Sequence, residues 1–177
     1  MARVNQSRNI ILSLKDYLEP LLTTEGYSFT FVSDWGSDQD IVLPKDYTVG
    51  TGQIKLPAGK ITMQSRSKGG YFEVGSTIME SLFFISFFIH AGSEGQAIDL
   101  LDFLHDQIES GNGYTGDNEI NIYNFSNTGY PSGSAPVEYR MRILEARHRF
   151  ISDLDAQNVA LKYAGDITFI GRLYIGS

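Results

Sequence analysis

Asp99, Asp102, Asp106 and Glu109 recur at steps of three and four residues around His105, and such oxygen and nitrogen donors could hold a divalent cation. Metal sites in helical proteins draw their ligands from several helices, however, and this sequence offers two at most. The row also lies opposite Ala97, Leu100, Leu101, Leu104 and Ile108, the ordinary arrangement of a solvated helix face. The acidic stretch "DWGSDQD" at 34–40 places its glycine wrongly for a calcium loop. "GNGYTG" at 111–116 matches a dinucleotide fingerprint by letter, but a helix precedes it and a strand follows, the reverse of what pyrophosphate binding needs. It reads as a turn. The three histidines, His90, His105 and His148, are not accompanied by a nucleophile elbow, and the absence of cysteine excludes thiol chemistry. The residues nominate no enzyme, no cofactor and no metal.

Arginine carries more information. Arg140, Arg142, Arg147 and Arg149 place four of the eight arginines within ten residues of an otherwise acidic chain. The planar guanidinium pairs bidentately with carboxylates and is enriched at interfaces. Two readings stand side by side: a basic band that meets the acidic face of a neighbouring subunit (Asp99, Asp102, Asp106), or ion pairs along the chain's own strands. Arg66 and Lys68 raise the same choice. They fall in "KITMQSRSKGGYFEVGS", which predicts two short strands joined at 65–70, so both cations are expected at a hairpin tip. Such a tip either touches a neighbour or is solvated.

These residues must be positioned by a fold. Ile11, Leu14, Leu18 and Leu21 form an apolar stripe that predicts a helix from about Asn5 to Leu22, capped by Asn5 or Ser7, with a kink or early stop at Pro20. "YSFTFV" alternates as a half-buried strand. Residues 33–59 lose periodicity, and a loop of that length is usually functional or mobile. Ser93, Gln96 and Gly111 bracket a second helix as a capping box and a C-terminal stop. "INIYNF", "VEYRMRI" and "ITFIGRLYI" predict three further strands, while 152–165 is either a short helix bracketed by Ser152 and Gly165 or a strand at Asn158–Tyr163, with strand or loop preferred. No internal repeat is visible. The fold class is therefore α+β, a mostly antiparallel sheet packed against two helices, with an extended hairpin arm. Residues 1–177 form one domain into which 33–70 insert a long loop and that arm.

"SLFFISFFIH" at 81–90 has almost no polar side, yet it is far too short to cross a bilayer, which takes about 20 residues as a helix. Phe83, Ile85, Phe87 and Ile89 point to one face, where the second helix can cover them. Leu82, Phe84 and Phe88 point to the other, which needs a folded-over sheet or an adjacent subunit. Hydrophobic content of 42% supports a globular core, and a net charge of −7 disfavours binding to phosphate backbones. No signal-type apolar segment opens the sequence, so a soluble, unprocessed chain is expected.

The succession of an N-terminal helix, a long loop with hairpin, "YFEVGSTIMESLFFISFFIHAGSEGQAIDLLDFLHDQIESG", "INIYNF" and a closing "GDITFIGRLY" resembles the tail terminator and related neck proteins of tailed bacteriophages. The likeness covers most of the chain from Gly70 onward, together with the first helix. It implies a structural protein of the virion, assembled in the host cytoplasm: a hexameric ring that caps the tail tube, halts its growth and meets the head connector protein. DNA would pass through its lumen without specific binding, and no membrane is involved. Arg66, Lys68 and the arginine band are then the candidate subunit contacts. The alternatives are another neck or baseplate adaptor and, from a different class, a small hydrolase or ligand-binding domain with aromatics lining a pocket.

Overall fold

The computed structural model describes residues 6–31, 56–71, 73–111, 118–125, 137–151 and 163–176. Helix α1 spans Gln6–Glu25 and α2 spans Glu94–Ser110. The strands are β1 (Thr30–Phe31), β2 (Ala58–Tyr71), β3 (Ile78–His90), β4 (Glu119–Tyr123), β5 (Val137–Ile151) and β6 (Ala164–Gly176). They form a six-stranded sheet in the order β1-β2-β3-β6-β5-β4, antiparallel except where β1 runs parallel to β2. This is the α+β architecture expected from the sequence. β1 pairs only with Ala58 and Gly59, so from Ile61 onward the outer edge of β2 has no strand partner among the described residues.

Both helices lie on one face. Phe83, Ile85, Phe87 and Ile89 of β3 are each at most 1% exposed and meet Ile10, Leu14, Leu18 and Leu22 of α1 and Leu100, Leu101, Leu104 and Ile108 of α2. α1 contacts both β2 and β4, the second and last strands of the order, while α2 lies over β5 and β6. The apolar stripe of α1 is centred on Ile10 and Leu22 rather than on Ile11 and Leu21, which are half-buried. Two buried polar residues explain the rotation. Asn9 and Ser13 face β4, where the Ser13 hydroxyl accepts from the Tyr123 N–H (2.9 Å) and Asn9 Oδ1 accepts from the Phe125 N–H (3.3 Å). The helix thus satisfies backbone donors of a sheet edge.

The early stop expected at Pro20 does not occur. α1 runs on to Glu25 and ends at Gly26, whose φ of 96° permits a Schellman cap: Gly26 N–H donates to Thr23 O and Tyr27 N–H to Leu22 O. The hydroxyls of Thr23 and Thr24 donate to the carbonyls of Glu19 and Pro20 in the same turn. Of the expected caps, Asn5 lies outside the described residues and Ser7 is already inside the helix. α2 matches its expected bounds. The Ser93 hydroxyl accepts from Gln96 N–H, and Gln96 Oε1 reaches back to the N–H of Gly92, one residue earlier than in the standard box. The readings of 34–40, 112–116 and 152–162 lie outside the described residues; of 152–165, Tyr163 is described and Ala164 and Gly165 open β6.

Candidate functional site

The hairpin is longer than the sequence suggested, and its turn lies elsewhere. β2 pairs with β3 from Ala58↔His90 to Tyr71↔Met79, so Arg66 and Lys68 sit within the strand opposite Phe83 and Ser81. The expected tip at 65–70 is corrected to Glu73–Thr77, where Gly75 adopts φ 82° and Ser76 N–H donates to Glu73 O. Gly69 and Gly70 suggest a turn that the chain makes only farther on. A Cβ on Gly69 would come within 2.6 Å of the Glu80 carboxylate, so this glycine makes room for a neighbouring side chain instead of turning the chain.

The base of the hairpin is held tightly. Gly59 has no room for a Cβ beside Phe88 O and the Phe29 ring, and Phe29, Phe31 and Phe87 form a cluster with centroids 4.9 to 5.7 Å apart. From Gln64 to Lys68 every residue of β2 is exposed. β6 accompanies β3 as far as Ile78↔Gly176, so the arm projects as three hydrogen-bonded strands. Its far end carries Tyr71 (64% exposed), Val74 (fully exposed) and Ile78 (40% exposed), with Tyr174 close by in register. Arg66 lies over the Phe83 ring at 5.1 Å, where it shields the end of the core.

The other face of the sheet carries neither helix. Ser86 is buried, Leu82 and Phe84 are half-buried, and Phe88 is exposed. A groove of about 470 Å³ runs over Phe84 and Ile170 and is walled by Gln64, Glu145, Arg147 and Thr168. The arginine band divides here. Arg149 makes a two-pronged pair with the buried Asp166 carboxylate (2.9 and 3.1 Å), and this hydrogen bond, with the charge behind it, raises the Arg149 pKa further. Arg147 pairs with Glu145 at 2.6 Å. For these two the intramolecular reading holds. Arg140 and Arg142 are exposed on β5, opposite Asn121 and Glu119 of β4, and make no ion pair with any described residue.

Asp99, Asp102, Asp106 and Glu109 are exposed on α2, as the amphipathic pattern requires. Two of them nevertheless have side-chain partners. Glu109 Oε2 lies 3.1 Å from His105 Nε2, and Asp102 Oδ1 lies 3.1 Å from His148 Nε2 on β5. The two imidazoles face each other, Nδ1 to Nδ1, at 2.7 Å. No local pattern of residues announces this pairing. Extending the alternation of "VEYRMRI" would put His148 on the outer face, but a bulge between Ile143 and Glu145 shifts the phase by one and turns Ala146, His148 and Phe150 towards α2. The middle of α1 is joined to the C-terminal end of α2 by Tyr17, whose single O–H lies between the carbonyls of Gln107 and Gly111, 2.7 and 2.6 Å away. Burial pushes the Tyr17 hydroxyl up to about 12.

In comparisons with known proteins, no family model matches the chain and no curated protein matches it. No helix among the described residues is long and apolar enough to cross a membrane.

Proposed function

We propose that the chain is a structural virion protein of tailed bacteriophages, a tail terminator whose copies form a hexameric ring between the tail tube and the head connector. The reading starts from the resemblance in residue pattern. One structural observation carries it further: a hairpin whose β2 strand is exposed from Gln64 to Lys68 and whose end carries the exposed Tyr71, Val74 and Ile78. Neighbouring apolar side chains that stand clear of their own domain are a common mark of a surface that another molecule buries. In a ring, the arm of one copy would lie on the next, and the half-covered outer face with Phe84 and Phe88 would supply further contact. Arg140 and Arg142, having no described ion-pair partner, are the best-placed cations to meet the exposed Asp99 and Asp106 of a second copy. A net charge of −7 suits a lumen along which DNA slides without sticking.

Sedimentation and electron microscopy of the purified protein test this directly. A ring with a central hole, at six times the 19.7 kDa subunit mass, is the expected result. Reversing Arg140 and Arg142 to Glu should lower that mass, and an unchanged ring would remove these residues from the interface. The same ring in a baseplate or another neck position is separated by which phage protein it captures, tube, connector or baseplate. The groove over Phe84 and Ile170 favours a second reading, a small-ligand domain. A ligand that raises the melting temperature of a monomeric protein would support that instead.

A further inference from the structure

The histidine pair between α2 and β5 poses a problem of charge. His105 Nε2 and His148 Nε2 each face a carboxylate oxygen at 3.1 Å, and an ionised carboxylate only accepts. If one ring carries its hydrogen on Nδ1, it donates to its partner across 2.7 Å. With hydrogen on both Nε2 atoms, the tautomers these carboxylates favour, the two Nδ1 lone pairs are instead directed at each other, a contact that repels unless something positive lies between them. A proton would serve, at the cost of making one ring an imidazolium. A transition-metal ion serves better on three counts. An imidazole whose second nitrogen donates to a carboxylate has its free lone pair oriented, which is the usual surrounding of a metal-ligating histidine, and here both rings face a carboxylate. The nearby side chains of α2 are acidic, Asp99 and Asp106 adding to Asp102 and Glu109. Arg147 and Arg149 alternate to the opposite face of the sheet, where they are paired with Glu145 and Asp166.

We infer that His105 and His148 form a site for a zinc-class divalent cation, bound through both Nδ1 atoms, with Asp102 and Glu109 acting as orienting carboxylates. At metal–nitrogen distances of about 2.0–2.1 Å and a tetrahedral angle, the two nitrogens stand roughly 3.3 Å apart. The rings must then open by a little over half an ångström. They can do so because they sit on separate elements and their side chains are 18% and 33% exposed. Among the described residues no three His, Asp or Glu side chains converge on one point, so water completes the coordination and the site stays open.

Untagged, chelator-washed full-length protein titrated with zinc chloride tests the inference by calorimetry, with X-ray absorption at the zinc edge as the second readout. One zinc per chain is expected, with two imidazole nitrogens in its first shell. His105→Ala and His148→Ala should each weaken binding at least about tenfold. Asp102→Asn, at an exposed carboxylate that leaves the fold intact, should weaken it by about tenfold or more through loss of orientation. Zinc that binds equally well to both alanine variants, or shows no imidazole shell, overturns the site. So does an NMR spectrum in which one proton is shared between the Nδ1 atoms and zinc leaves both rings' nitrogen shifts unchanged. Circular dichroism of each variant distinguishes loss of the ligand from loss of the fold.

Discussion

Replacing Tyr71, Val74 and Ile78 together by threonine strips the arm of its apolar tip while keeping residues that suit strands. Full burial of a large apolar side chain is worth about 1.5–3 kcal/mol. Scaling by the 64%, 106% and 40% of each residue still exposed in the monomer leaves roughly 4 kcal/mol for a neighbouring copy to gain from one arm. At about 1.4 kcal/mol per factor of ten, self-association should weaken by roughly a thousandfold. Folding should hardly change, since exposed substitutions usually shift stability by no more than about 0.5 kcal/mol. Sedimentation velocity over a wide concentration range, paired with a thermal melt, reads both quantities. Two results refute the reasoning: equal association of the variant and the parent chain, or a melting point lowered by more than about 4 °C, which would mean that the tip supports its own domain.

Three further outcomes follow from the packing. Phe87→Ala removes the ring that packs on both Phe29 and Phe31 and should cost about 3–5 kcal/mol in urea unfolding; a loss below about 1 kcal/mol would deny this cluster its place in the core. Tyr17 is held neutral by the fold, so its contribution is complete below pH 10, the usual value for tyrosine, and disappears as pH rises through about 12. Allowing for its partial exposure the effect is about 1–2 kcal/mol, so the melting points of the parent chain and Tyr17→Phe should differ at pH 8 and converge as pH approaches 12, whereas parallel curves would contradict it. Gly165→Ala would drive a methyl to within 2.5 Å of Leu101 and 2.8 Å of the Arg149 carbonyl and should destabilise by about 1–3 kcal/mol, while Gly70→Ala, with open space around it, should be nearly silent in the same unfolding assay.

Where sequence and structure agree, several local signals point the same way. α2 has a capping hydroxyl, an apolar stripe and a terminal glycine in register, and its bounds were legible. The two-sided character of β3 was legible as well, because strand alternation is rigid and all four inward residues are large and apolar. The misplaced hairpin turn came from reading glycine only as a turn former. At Gly69 the missing side chain answers to Glu80 across the strands, a contact that no local window contains. The stop signal of α1 is Gly26, six residues beyond Pro20, where a positive φ is required. The histidine pair lay beyond reach because one bulged residue in β5 decides which face His148 takes. Of the arginines, the alternation 139–143 placed Arg140 and Arg142 outside correctly, but the carboxylate that claims Arg149 comes from a strand 17 residues away.

The outer margin of β2 beyond Gly59 has a bearing on how any assembly ends. Its run of Gln64, Ser65, Arg66, Ser67 and Lys68 is polar and carries two like charges, features that discourage a further strand from zipping onto the backbone. Copies that cannot extend one another's sheets must meet through side chains, and contacts of that kind fix an angle between successive subunits. A repeated angle can bring the last copy back to the first. If copies associate as proposed, a cationic border of this kind favours a closed object of finite size over an endless ribbon.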